Sequence, residues 1–305
     1  MEEFMKWENR RRSSNVRRGS SYNKGTNYGS RGGIPIRVGV GGGLGSIILI
    51  IILLFFSRLL GGLSGGDSGY EDNNSNQYTE QEYTQSTNES PDRERLEDFL
   101  SVILADTEDV WHEKFREMGS EYEEPIMVPY SGTTRSACGI ASKDMGPFYC
   151  PLDESIYIDV DFYNQLQNQF GASGDFAFAY VLAHEVGHHV QNQLGILDQT
   201  NKLRKTLSKK EYNKYSVAQE LQADYFGGLF AYYVEEKGYL DPGDIKEAMD
   251  AAASIGDDRV QEMSGREVNV DTFTHGSSAQ RKEAFDLGYK YHDIDHSMIF
   301  FDRIK

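Results

Sequence analysis

Cysteine and tryptophan are scarce, with two of each among 305 residues. Two thiols exclude a four-cysteine zinc site and a disulfide-rich scaffold, and they leave room for one cross-link. No internal repeat is present, which excludes a solenoid or a propeller. Positive charge is also short: 31 Lys and Arg stand against 48 Asp and Glu, for a net charge of −17. The deficit is uneven, because residues 1–40 carry nine basic side chains against Glu2, Glu3 and Glu8, while residues 61–305 carry 21 against 45 acidic ones.

Between these regions charge almost vanishes. From Val38 to Leu60 only Arg58 is ionisable, and Leu44–Phe56 is nearly all aliphatic or aromatic. Twenty-three helical residues rise about 34 Å, enough for a bilayer core of about 30 Å. A buried core helix or a signal peptide competes for the same segment, but the basic stretch before it is too long for a signal peptide. The expected organisation is a basic disordered tail at 1–37, a transmembrane helix at 38–60, a polar linker at 61–92 and a folded domain at 93–305. The basic flank predicts a single-pass cell-membrane protein with its N-terminus cytoplasmic and its domain extracytoplasmic. The tail's arginines are spaced by Ser, Asn and Gly, which suits contact with the lipid bilayer and gives no sign of nucleic-acid binding. Outside the cytoplasm Cys138 and Cys150 can persist as a disulfide.

Within the domain, Ser90-Pro91 opens a helix whose apolar positions (Leu96, Phe99, Leu100, Ile103, Val110, Trp111) recur at spacings of three and four. Residues 125–130 and 155–160 read as strands, with a cysteine-bearing loop between them and a short helix at 161–170. Asp175 is placed to cap a helix running to Leu194, with Gly195 as its terminator. Residues 200–215 are Lys-rich and read as a surface excursion, followed by helices at about 216–237, 244–253 and 278–289. The fold class is α+β, helix-dominated with a small sheet.

The chemistry concentrates in His184-Glu185-Val186-Gly187-His188. Residues four apart share a helix face, so both imidazoles can reach one metal ion while Glu185 projects beside them. The flanking residues are apolar, and charged groups in a buried helix need a compensating partner such as a cation. A catalytic zinc takes a third protein ligand, for which Glu220 on the next long helix is the candidate. Asp224 lies one turn later on the same face and can accept a hydrogen bond from a ligating histidine. The competing reading of Glu220 and Asp224 is an ordinary solvated helix face.

These motifs carry a resemblance. His184–His188 followed by Glu220–Asp224 resembles the gluzincin metallopeptidases. With Gly146–Pro151, His184–Gln191 and Phe273–Arg281, the stretch from about 93 to 292 more closely resembles the bacterial family of neutral zinc metallopeptidases. The resemblance implies a zincin-like metallopeptidase domain. It also implies Zn2+ held by His184, His188 and Glu220, and a peptide or protein substrate. Glu185 is then the general base that removes a proton from a metal-activated water. His275 looks like a histidine placed opposite the metal to stabilise the oxyanion, with Arg281 orienting it or binding the substrate backbone. A helix-start histidine is the alternative for His275, and Tyr212 and Tyr215 are alternative oxyanion donors. Residues 155–160 are the expected edge strand for an extended peptide. The competing function is a non-catalytic, zinc-stabilised, membrane-anchored binding or assembly protein, against which the presence of Glu185 argues.

Overall fold

The computed structural model describes residues 5–18, 91–142, 145–172 and 174–304. Helices dominate, with a small sheet at one end, so the α+β class holds. The first helix, α1, spans Pro91–Glu117. Five strands follow: β1 (Ile126–Tyr130), β2 (Thr133–Ser136), β3 (Gly139–Ser142), β4 (Phe148–Cys150) and β5 (Ser155–Asp159). The stretch expected to be a loop thus contains three strands. Strands β2 and β3 form an antiparallel hairpin, and Cys138 bonds to Cys150 at an S–S distance of 2.02 Å.

The main sheet has the order β1-β5-β4, with β5 parallel to β1 and antiparallel to β4. This corrects the expectation that residues 155–160 offer a free edge. Both sides of β5 are hydrogen-bonded, and all five of its residues are buried. The edge nearer the cysteine bridge belongs to β4.

After the short α2 (Phe162–Asn168), α3 runs from Asp175 to Gln193. Residues 175–191 are buried without interruption. A helix enclosed on every side must be apolar on every side apart from groups with internal partners, and its sequence fits that rule. Gly174 occupies the cap position, so Asp175 is the first helical residue rather than the cap. Gly195 is left-handed at φ 74° and separates α3 from α4 (Ile196–Leu203).

The expected surface excursion is mostly helical. Helix α5 begins at Lys209, not near 216, and extends to Glu236. Ser208 and Glu211 form a reciprocal capping box that satisfies two amide groups of the first turn. Helices α6 (Asp244–Ser254), α7 (Asp257–Met263), α8 (Ser278–Tyr291) and α9 (Ile299–Asp302) complete the fold. Helix α3 packs on α5 and α6, and α5 on α8. The last contact is backbone to backbone: a Cβ on Gly288 would lie 1.8 Å from the Tyr225 carbonyl oxygen, and one on Gly228 would lie 2.0 Å from that of Phe285.

Residues 5–18 are not a detached tail. Met5 and Trp7 enter the main core, and Trp7 meets Phe99 edge-on at 5.8 Å. The Met127 amide donates to Asn15 O at 2.8 Å, and the Arg17 amide donates to Met127 O at 2.8 Å, so this segment lines the outer edge of β1. Arg10 pairs with Asp106, Arg11 with Glu108 and Arg18 with Asp98, all on α1.

That docking overturns the expected membrane topology. A single crossing between residue 18 and the domain would put the two on opposite faces of a bilayer, yet residues 5–18 form part of the domain's own packing. Among the described residues no helix is long and apolar enough to cross a membrane. The expected span at 38–60 lies outside the described residues, as do residues 19–37 and the expected linker as far as residue 90.

Candidate metal centre

Helix α3 carries His184, Glu185 and His188, and α5 carries Glu220 and Asp224. Both helices must come close for these groups to meet, and Gly187 makes that possible. A Cβ there would lie 3.1 Å from the Ala223 Cα, tighter than side chains ordinarily pack. Ala223 immediately precedes Asp224, so the closest approach falls at the level of the cluster.

The structure brings His184, His188 and Glu220 together, with one donor atom from each lying within 4.8 Å of the others. His184 Nε2 is 3.3 Å and His188 Nε2 is 3.6 Å from the same Glu220 oxygen. The two rings stand nearly perpendicular, with centroids 4.8 Å apart. All three residues are buried.

The far side of each imidazole is already engaged. His184 Nδ1 lies 2.8 Å from Asp224 Oδ1, and His188 Nδ1 lies 2.9 Å from Gln191 Oε1. The amide orientation of Gln191 follows from its own network, because its nitrogen donates to Gln219 O and Gln222 Oε1. Both acceptors therefore hold a proton on Nδ1 and leave each Nε2 facing Glu220, as the atom available to a metal.

Asp224 is in turn over-determined. Arg281 donates to both of its oxygens at 2.8 Å, and Tyr180 donates to Oδ1 at 2.5 Å. Arg281 is buried with its guanidinium committed to Asp224, Tyr180 and Ile255 O. These hydrogen bonds go to Asp224, Tyr180 and Ile255 rather than to His275.

The electrostatics favour positive charge between the two rings. Burial opposes a proton on His184, but the Asp224 charge beside it prevails and its pKa is pushed up to about 10. Burial likewise opposes a proton on His188, whose pKa is nonetheless raised by the neighbouring Glu220. Burial alone would raise Glu220, yet His188 and His275 hold it well below the usual carboxylate range. A field that draws protons onto these nitrogens draws a divalent cation in the same way. Two neutral nitrogen donors and one carboxylate oxygen, each ring oriented from behind, fit a catalytic zinc site with an open position.

Glu185 is set apart. Burial pushes its carboxyl above the usual range, although His188 and His184 pull it back. Its carboxylate has no hydrogen-bond partner among the described residues.

His275 lies in the turn between the 3₁₀ segment Val270–Thr272 and α8. One oxygen of Asp257 accepts from the amides of Thr274, His275 and Gly276 at 2.7, 2.6 and 2.9 Å. Its other oxygen is 3.4 Å from His275 Nδ1. His275 lines a cavity of about 430 Å³ together with His188, Glu220 and Tyr212. His189 does not face the site, because it is fully buried between Tyr149 and the Glu123 carbonyl.

Three participants were missed in the sequence. Tyr180 is four residues before His184 and Gln191 three after His188, so helical spacing could have found both. Asp257 gives no local signal, being 18 residues from the histidine it holds. A second acidic group, Asp175, Asp244 and Glu247, also has its oxygens within 4.8 Å of one another, but it offers no nitrogen donor.

The profile of a protein family described as "Putative neutral zinc metallopeptidase" matches residues 5–300. The uncharacterized protein YpfJ of Escherichia coli (strain K12) is 43% identical over 286 residues, covering 93% of this chain and 95% of that one. An uncharacterized protein of Mycobacterium tuberculosis (strain ATCC 25618 / H37Rv) is 44% identical over 183 residues, covering 56% of this chain and 61% of its own. No solved structure matches.

Proposed function

The chain belongs to the family described as putative neutral zinc metallopeptidase, and from that premise we propose that it is a zinc-dependent peptidase. The observation that carries the reading is the meeting of His184, His188 and Glu220 in a buried site, with the uncommitted Glu185 beside them. We further propose a zincin-like arrangement, in which one helix supplies two histidines and the base while a second supplies the third ligand. The catalytic unit is proposed to comprise residues 93–305 together with the docked segment 5–18.

Zinc bound there would polarise the scissile carbonyl and acidify a water. The rest of the work falls to side chains. Glu185 accepts the proton of the attacking water and returns it to the leaving amine, and a carboxyl raised by burial is better matched to both transfers. His275, positioned by Asp257, donates a hydrogen bond to the oxyanion of the tetrahedral intermediate. Asp224 and Gln191 hold the two ligand rings in their tautomers. A peptide extending the main sheet has β4 as its neighbour.

Metal analysis of the purified full chain and digestion of a mixed peptide library test this reading. About one zinc per chain is expected, with Glu185→Gln keeping the metal and losing cleavage by at least about a hundredfold. Zinc without turnover on any peptide would favour the non-catalytic binding or assembly reading. Equal cleavage by Glu185→Gln and the parent would remove Glu185 from the mechanism.

A further inference from the structure

The cavity lined by His188 and Glu220 also has apolar walls: Ile140, Met145, Phe148 and Leu152 from the strand region and Leu197 from α4. Ile140 is 62% and Leu152 74% exposed, placing them among the most exposed large apolar side chains of the described residues. Exposed apolar surface at the mouth of a site is stabilised when a ligand covers it. Arg204 is the one Lys or Arg among the cavity's lining residues.

Arg204 is unusual in this acid-rich chain. It has no carboxylate within ion-pairing distance among the described residues, and its buried Nη1 has no hydrogen-bond partner. Its guanidinium carbon lies 5.9 Å from the centre of the Tyr212 ring, which also lines the cavity. An unpaired guanidinium in the wall of a largely apolar pocket is complementary to a carboxylate, which it can bind through two parallel hydrogen bonds.

We infer that the preferred substrates are peptides that carry a large apolar side chain and a carboxylate, the carboxylate being read by Arg204. The inference deepens the peptidase reading and rests on it. The carboxylate is either an acidic side chain or the chain end, since both present the same two oxygens.

The test measures binding, so it stands apart from turnover. Zinc-loaded full-length Glu185→Gln protein is titrated with fluorescein-labelled alanine-based nonapeptides, monitored by polarisation. One series carries Phe or Ala at the centre. A second carries Asp or Asn in turn at each position two to four residues from that Phe on either side, and a third keeps that Phe and ends as free acid or amide. Phe is expected to bind about tenfold more tightly than Ala, and at least one carboxylate about tenfold more tightly than its neutral counterpart. The side-chain and chain-end arms distinguish the two sources. Adding Arg204→Met should abolish the carboxylate preference while leaving the Phe preference, whereas Ile140→Ser with Leu152→Ser should do the reverse. Equal or undetectable binding of all peptides, or a carboxylate preference that survives Arg204→Met, overturns the inference. Cleavage of the mixed library by the parent is scored separately, so its failure is distinguishable from failure of this specificity.

Discussion

His184 and Asp224 stand 2.8 Å apart across the α3–α5 interface, and the aspartate is held in that position by Arg281 and Tyr180. The contact fixes the proton on His184 Nδ1 and aims Nε2 at Glu220. Replacing Asp224 by Asn removes the charge but keeps the size, leaving Arg281 buried with a weaker partner. Zinc affinity is expected to fall by roughly 10- to 100-fold. Competition with a chromophoric chelator measures it, and unchanged affinity would mean that the ring needs no such support.

The docked N-terminal segment carries a stability prediction. Trp7 is 4% exposed and packs on Phe99. Truncating a buried aromatic to alanine costs about 3–5 kcal/mol. Trp7→Ala in the full chain should therefore lower the urea midpoint substantially, whereas an undocked tail would leave it unchanged.

The same segment shows where reading the sequence stops. Arginines spaced by Ser and Asn look like a solvated tail, because their partners Asp98, Asp106 and Glu108 lie some 80 to 100 residues away. Helix α3 is legible because apolar residues surround its few polar groups on every face, and the placing of His184 beside His188 follows from helical spacing alone. Glu220 is legible through the third protein ligand that a catalytic zinc requires. The early start of α5 was written in Ser208 and Glu211, but the lysines around them suggested a loop. Asp257 could not be read locally, because a carboxylate that collects amides from a distant turn leaves no periodicity.

The disulfide closes the loop that forms the apolar wall of the cavity. A 12-residue separation corresponds to roughly 3 kcal/mol of unfolded-state restriction in the chain-entropy model. Replacing Cys138 and Cys150 together by Ser should lower stability by about that amount. Thermal unfolding under non-reducing conditions checks this, and a reductant should shift the parent but not the variant.

Asp175 predicts a pH dependence. Burial pushes its carboxyl up from 3.8 to about 7, even though the Met5 amide donates to it. The folded chain then holds a proton between about pH 4 and 7 that the unfolded chain has released. Stability contributed by this group falls as pH rises through that window, at up to about 1.4 kcal/mol per pH unit, and levels off above pH 7. Asp175→Asn carries no such proton. Denaturation at pH 5 and pH 8 should show the parent losing more stability than the variant, and parallel losses would remove Asp175 as the cause.

His275 and Asp257 separate positioning from binding. Asp257 gathers three consecutive amides around His275 and approaches its ring nitrogen, so the turn and the imidazole are held by one carboxylate. If His275 donates to the oxyanion, the loss appears where charge develops, in the transition state and not in ground-state binding. His275→Ala should lower kcat by about 10²- to 10³-fold with little change in KM. Asp257→Asn keeps one acceptor oxygen and should produce a smaller kcat loss of the same kind, with zinc content unchanged in both variants. A rise in KM at constant kcat would instead make His275 a substrate-binding residue, and lost zinc would place it with the metal ligands.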